Sequence, residues 1–424
     1  MRLGPLAVLL GAIGAVGAVG AASAKTTLTG FAALPAQTLS PGTPPAGGYA
    51  DDGSKLAAPR FASQPVQGVS AIAPVAVKAP TARNTERGRR QGPAETPVPK
   101  QWWALSDNGF GTRANSGDYR LVLYRFRVEP ARAPAKPERR SRRPERRKPT
   151  PAVTVLQRIE LRDPGRFFPW ELTLAADPRR PLTGADADPE SLVLMPDGSF
   201  WVGDEHGPWL LHFSANGTLL EAPVELVPGG TVLRSASHPD VAMAGKTSRI
   251  AISKGFEGLA PGPQPNTLVA ALEAPIAGDI GGEVRLLEYD LAQRAWSGRQ
   301  WSYPLDSAGN SVAELVRDPF GAADSYLVIE RDALQGAGAK FKKIFRVRLS
   351  RLPEKTLAVD LLDIDDPQRL AGGSTRFRFP FLTPESVWPI GPREWVVVND
   401  NNFPAAGGRS ALAPDPTEWI VLRE

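Results

Sequence analysis

The chain has 424 residues, with 50 Lys and Arg against 45 Asp and Glu for a net charge of +5, and it contains no cysteine. Disulfides, thiolate catalysis, zinc–thiolate sites and a lipoprotein anchor are thereby excluded. A chain this long usually divides into two or three domains, but a closed all-β ring can absorb the length, and 43 Pro, 41 Gly and 10 Trp fit many turns around a large core.

Arg2, the apolar and glycine-rich run Leu6–Gly20, and Ala22-Ser23-Ala24 read as a secretory signal peptide over residues 1–24. The run is short for a spanning helix, and no later stretch could cross a bilayer. The mature chain is therefore expected to lack a membrane span and to be periplasmic or secreted. Residues 25–60, rich in Ala, Pro, Thr and Gly, read as a low-complexity linker or a loosely packed first strand, with the main domain over 61–424. Lys78–Pro99 is a second irregular, Pro- and Arg-rich stretch.

From Gln101 onward, short β-branched and aromatic runs alternate with Gly, Pro, Asp and Asn turns. Leu121–Val128, Phe200–Val202, Arg285–Tyr289, Tyr326–Ile329, Ile344–Leu349 and Trp395–Val398 are such runs. Within them lies a basic insert at 131–150. Between Arg132 and Lys148 it carries nine Lys or Arg and two Glu, so the rest of the chain has a net charge of −2. It has no apolar periodicity and no aromatic residue. It is read as a disordered, solvated loop between two strands, not as a specific nucleic-acid site.

An internal repeat organises what remains. Glu190, Glu257, Glu314 and Glu385 each open a short strand. A second, apolar strand follows and ends in an acidic residue 14 to 16 positions later: Asp204, Glu273, Glu330 and Asp400. The opening glutamates are 67, 57 and 71 positions apart. A fifth unit, Gly68–Ile72 followed by Gln101–Asp107, lacks the Glu. Four-stranded sheets at this spacing cannot bury both faces alone, and a ring of them can. The pattern predicts a β-propeller of six blades, with five as the alternative.

Such a ring would converge carboxylates on one axis, and buried charges are costly unless paired or bound to a cation. Hard oxygen donors suit calcium, and no cluster of His or Cys suits zinc. The expected ligands are Asp107, Asn108, Glu190, Asp204, Glu257, Glu314, Glu385 and Asp400. Asp107–Gly111, Asp204–Pro208 and Asn399–Pro404 are polar turns that each follow a second strand, so they should share one face. His206 lies in an acidic turn and is a candidate to take or give a proton near neutral pH. There is no G-x-S-x-G elbow, phosphate-binding P-loop or G-x-G-x-x-G after a strand.

Trp102–Gly109, Asp188–Leu192, Val202–Pro208, Gly255–Leu259 and Asn399–Phe403 together resemble the phytase-like domain of esterase-like secreted bacterial proteins, over roughly residues 60 to 424. The resemblance implies a propeller related to alkaline phytases, placed outside the cytoplasm and hydrolysing esters, phosphate esters with calcium among them. The expectation is a monomeric hydrolase of a small-molecule ester or phosphate ester, with a water activated at a calcium ion in the channel. Glu205 or His206 would move the proton, and Lys254 and Arg331 would neutralise a phosphate. The alternatives are a lactonase or phosphotriesterase-like propeller, or a non-catalytic propeller that binds a ligand or a protein.

Overall fold

The computed structural model describes residues 25–75, 98–132, 152–279 and 282–424. The signal segment, most of Lys78–Pro99 and the bulk of the basic insert lie outside these residues. The described chain is built from strands, with short helical turns such as Pro239–Ala242 between them.

Blade 1 consists of Val69–Pro74, Gln101–Ser106, Val122–Glu129 and Ala152–Glu160. Blade 2 consists of Pro189–Leu194, Phe200–Asp204, Trp209–Phe213 and Val224–Glu225. Blade 3 runs through Phe256–Pro261, Thr267–Leu272, Val284–Asp290 and Ala295–Tyr303. Blade 4 runs through Ser311–Arg317, Ser325–Arg331, Lys342–Arg348 and Lys355–Asp360. Each is an antiparallel meander, and its first strand contacts the first strand of the next blade. Blade 5 contributes Pro384–Gly391, Glu394–Asn399 and Thr417–Arg423, and its first strand touches those of blades 4 and 1, which closes the ring.

The fourth position of blade 5 is filled from the other end of the chain. Thr27–Leu34 pairs antiparallel with Thr417–Arg423, from Thr27 opposite Arg423 to Leu34 opposite Thr417. Residues 25–60 are therefore not simply a linker ahead of the domain. The alternation of Leu28, Gly30, Ala32 and Leu34 as buried positions makes this stretch a half-buried strand. Its Ala and Gly content disguises the alternation in the sequence. Ile364–Asp365 and Arg376–Phe377 extend the same sheet, and Ala131–Arg132, the start of the basic insert, pairs with Phe31 and Gly30. Among the described residues there are five sheets and not the preferred six. The sequence between the blade units was long enough for another blade, but it is spent on loops and on edge strands.

The burial pattern explains why the inner strands read as continuous apolar runs. Thr267–Leu272 is buried at every position, because it is sandwiched between neighbouring blades. The outermost strand of the same blade, Ala295–Tyr303, is largely exposed. The apolar core lies between blades. Trp102 of blade 1 meets Trp419 of blade 5 at 5.8 Å between ring centroids, while Leu259, Leu315 and Phe345 belong to one cluster joining blades 3 and 4. A ring assembled this way needs no disulfide, since each blade's apolar faces are covered by its two neighbours.

Candidate axial carboxylate site

Each inner strand carries a β-bulge near its start, and the bulge determines which residue is re-aimed. Pairing skips Ser70 in blade 1, Glu190 in blade 2, Glu257 in blade 3, Ala313 in blade 4 and Glu385 in blade 5. Glu314, expected from its spacing to be the fourth member of this ring, comes one residue after the bulge. It is buried, and its Oε1 accepts from the Leu315 amide at 2.8 Å. The equivalent place in blade 4 belongs to Ala313.

A second ring follows from the same pairing. Directly after the partner of each pre-bulge residue stand Asp107, Glu205, Glu273, Arg331 and Asp400. Four blades thus offer an acid at this level, and blade 4 offers a guanidinium. Glu330, the acid of that unit in the sequence pattern, belongs to a structural network. It accepts from Tyr303 Oη at 2.9 Å, Asn310 Nδ2 at 2.7 Å and the Asp306 amide at 2.8 Å, and pairs with Lys355 at 2.7 Å.

Asp188, not singled out as a ligand from the sequence, completes the cluster. Its carboxylate accepts from the Asn108 amide at 3.0 Å and from Asn108 Nδ2 at 2.7 Å. Its own amide donates to Asp204 Oδ2 at 2.6 Å, while Asp204 Oδ1 accepts from the Gly207 amide at 2.7 Å. Asn108 and Asp204, both expected as ligands, are instead the groups that hold Asp188 and the following turn in place. The signal in the sequence was Asp188-Pro189-Glu190, where an Asp before Pro reads as an ordinary turn former.

Oxygen atoms of Asp188, Glu190 and Glu205 lie within 4.8 Å of one another, as do those of Glu205, Glu257 and Glu273, and all are buried. The two groups differ in compensation. Arg331 lies 3.2 Å from Glu273, 3.7 Å from Glu257 and 3.9 Å from Glu385, and Lys254 pairs closely with Glu273. Burial works against the charge on Arg331, and these three glutamates more than reverse it, raising its pKa. No Lys or Arg is within 4 Å of Asp188, Glu190 or Glu205 among the described residues. Glu205 Oε1 is buried without a hydrogen-bond partner.

Burial, reinforced by neighbouring acids, pushes Glu190, Glu205, Glu385 and Asp107 well above the usual carboxylate range. The same causes raise Glu257 to about 8, and burial raises Asp400 to about 6. His206 is buried and held neutral, its pKa lowered to about 4 by desolvation. Its Nε2 stands 3.6 Å from Asp188 Oδ2, beyond hydrogen-bond length, and its Nδ1 has no partner. An imidazole so placed is poorly suited to proton exchange with a substrate at neutral pH.

The main chain beneath Glu205 is tightly fitted. A Cβ on Gly255 would come within 2.4 Å of the Glu205 carbonyl oxygen and 2.6 Å of its Cα. Only glycine permits this approach, which accounts for the first residue of the Gly255–Leu259 motif.

The chain matches the Phytase-like family, described as "Esterase-like activity of phytase", over residues 92–403. The chain belongs to this family. The matched span contains every ring residue except Ser70. A curated relative named "Uncharacterized secreted protein", from Arthroderma benhamiae, is 32% identical over 124 residues, which is 25% of this chain and 24% of the relative. The chain thus matches about a quarter of that protein's length.

Among solved structures, a Bacillus subtilis arabinanase overlaps 76% of this chain and 90% of its own at 11% identity and a TM-score of 0.35. An exo-β-1,3-galactanase from Phanerochaete chrysosporium overlaps 94% and 64% at 9% identity and a TM-score of 0.38. No activity passes from these to the family member described here. Among its described residues, no helix is long and apolar enough to cross a membrane.

Proposed function

We propose that this protein is an exported ester hydrolase that works with a divalent cation, calcium by the chemistry of its donors, held by Asp188, Glu190 and Glu205. One observation carries the reading. Three buried carboxylates converge with no Lys or Arg within 4 Å among the described residues, and one carboxylate oxygen has no hydrogen-bond donor. Buried charge of this kind is retained when something of opposite charge is bound. The oxygen-only donor set fits calcium, and Asn108 and Asp204 fix Asp188 as supporting groups fix a ligand.

A bound divalent cation would supply Lewis acidity, polarising the substrate's carbonyl or phosphoryl oxygen. The chain's own residues do the rest. Glu257 has its pKa pushed up to about 8, which suits a carboxyl that exchanges protons near neutral pH. Arg331 and Lys254 occupy the charge-compensating position beside Glu257 and Glu273, so a single cation site is favoured over a pair.

Export rests on the apolar run Leu6–Gly20, on Ala22-Ser23-Ala24 and on the relative named as secreted. The hydrolase reading is tested by screening carboxylic and phosphate esters with calcium and with a chelator. Calcium-dependent turnover that is lost in Glu190→Gln and Glu205→Gln supports it. Turnover indifferent to both changes sinks it. A non-catalytic binding propeller is the reading left if no ester is hydrolysed.

A further inference from the structure

A cleft of about 360 Å³ opens between two of the polar turns, Gly109–Gly111 after blade 1's second strand and Asn402–Ala405 after blade 5's. Asp107, an axial acid of the second ring, lines it, and so do Asp51 and Arg60 from the N-terminal segment. The next residue, Asn108, is the one that holds Asp188 at the cation-binding carboxylates. The cleft is therefore linked to the proposed reaction centre through two consecutive residues.

Two aromatic rings stand among its polar lining residues. Phe110 and Phe403 both line it, and Phe61 stands behind them, 6.0 Å from Phe110 in a stacked arrangement and 5.3 Å from Phe403. Tyr119 meets the edge of Phe110 at 5.4 Å. The turn is shaped for this contact, because Gly109 has φ 92° and a Cβ there would lie 2.2 Å from the Tyr119 ring. On the opposite side Asn402 also adopts a left-handed conformation, φ 46°, held by its amide's bond to Asp400 Oδ1 at 2.9 Å. The aromatic walls are thus positioned by local backbone geometry and by ring packing, with little freedom to collapse.

The cleft offers an anion no net positive charge. Arg60 is matched by Asp51, Asp107 is held toward its neutral form by burial, and no lysine lines the space. A phosphate ester entering here would find no surplus of guanidinium over carboxylate. An uncharged ring would instead replace water on Phe110 and Phe403, which is favourable by area and by ring–ring geometry.

We infer that this cleft receives the aryl part of an uncharged carboxylic ester, with Phe110 and Phe403 as specificity-determining residues and phosphate esters disfavoured. The inference rests on the hydrolase reading for the word ester, and on the cleft alone for the aryl group.

The test separates the two. Acetanilide, the non-hydrolysable amide counterpart of phenyl acetate, is titrated against the calcium-loaded protein by NMR, with inorganic phosphate as competitor. Phenyl acetate hydrolysis is followed in parallel. The variants are Phe110→Leu, which shortens one wall, and Ala405→Trp, an exposed position whose larger side chain plugs the cleft without disturbing the core. Acetanilide should bind the wild type and be displaced little by phosphate. Phe110→Leu should weaken it by about fivefold, the scale of one lost aromatic contact, and Ala405→Trp should remove it. The phenyl acetate KM should rise by the same factor, with kcat unchanged. Binding of acetanilide that ignores both variants, or its displacement by phosphate, overturns the inference, even where calcium-dependent ester hydrolysis persists. Binding as expected with no ester hydrolysed leaves the aryl cleft standing and removes the hydrolase reading. If Phe110→Leu fails to fold, Ala405→Trp decides alone.

Discussion

Glu190→Gln should have opposite effects on stability with and without calcium. In a chelator, the wild type must keep Glu190 buried beside Asp188, Glu257 and Glu385, the groups that raise its pKa after burial itself. Gln keeps the volume and carries no charge to desolvate, so the variant should melt slightly higher than the wild type at pH 8. With calcium the order reverses. A ligand present at roughly 100 times its Kd adds about 2.7 kcal/mol to the native state. About 360 described residues, at about 2 cal/mol/K each, give an unfolding entropy near 0.7 kcal/mol/K, so this gain raises Tm by about 3–4 °C. Losing one of three carboxylates should remove most of that increment. Scanning calorimetry of both proteins, with calcium and with chelator, measures all four melting temperatures. Equal calcium increments in wild type and variant, or a lower Tm for the variant in chelator, would refute the reasoning.

Two further substitutions probe the surroundings. Glu330→Ala breaks the buried pair with Lys355 and strips partners from Tyr303 and Asn310. It should cost on the order of 3–5 kcal/mol in denaturant unfolding while the calcium increment survives; loss of the increment would place Glu330 at the cation. Gly255→Ala should show the converse. Its Cβ would press on the Glu205 main chain, so isothermal titration should record weaker calcium binding, together with about 1–3 kcal/mol of lost stability from overpacking. Unchanged calcium affinity would show that Glu205 is not a ligand.

Local pattern alone was enough to establish an all-β propeller. A Glu opening four of the inner strands, and an acid closing the next strand 14 to 16 residues later, survive in any fold that stacks these sheets in a ring. Apolar runs and turn residues are local properties, and they located the five units correctly. What they could not convey was the aim of individual side chains. Whether Ala313 or Glu314 takes the axial place depends on which residue the pairing skips, and that is decided by the partner strand. The same pairing puts Arg331 among the carboxylates and leaves Glu330 to Lys355. Asp188 looked like a turn former until Asn108, from another blade, was brought to it. Thr27–Leu34 could be read as a linker or as a loosely packed first strand, because its partner, Thr417–Arg423, lies at the far end of the chain. A strand poor in large apolar residues earns its place through that long-range pairing, which no local window contains.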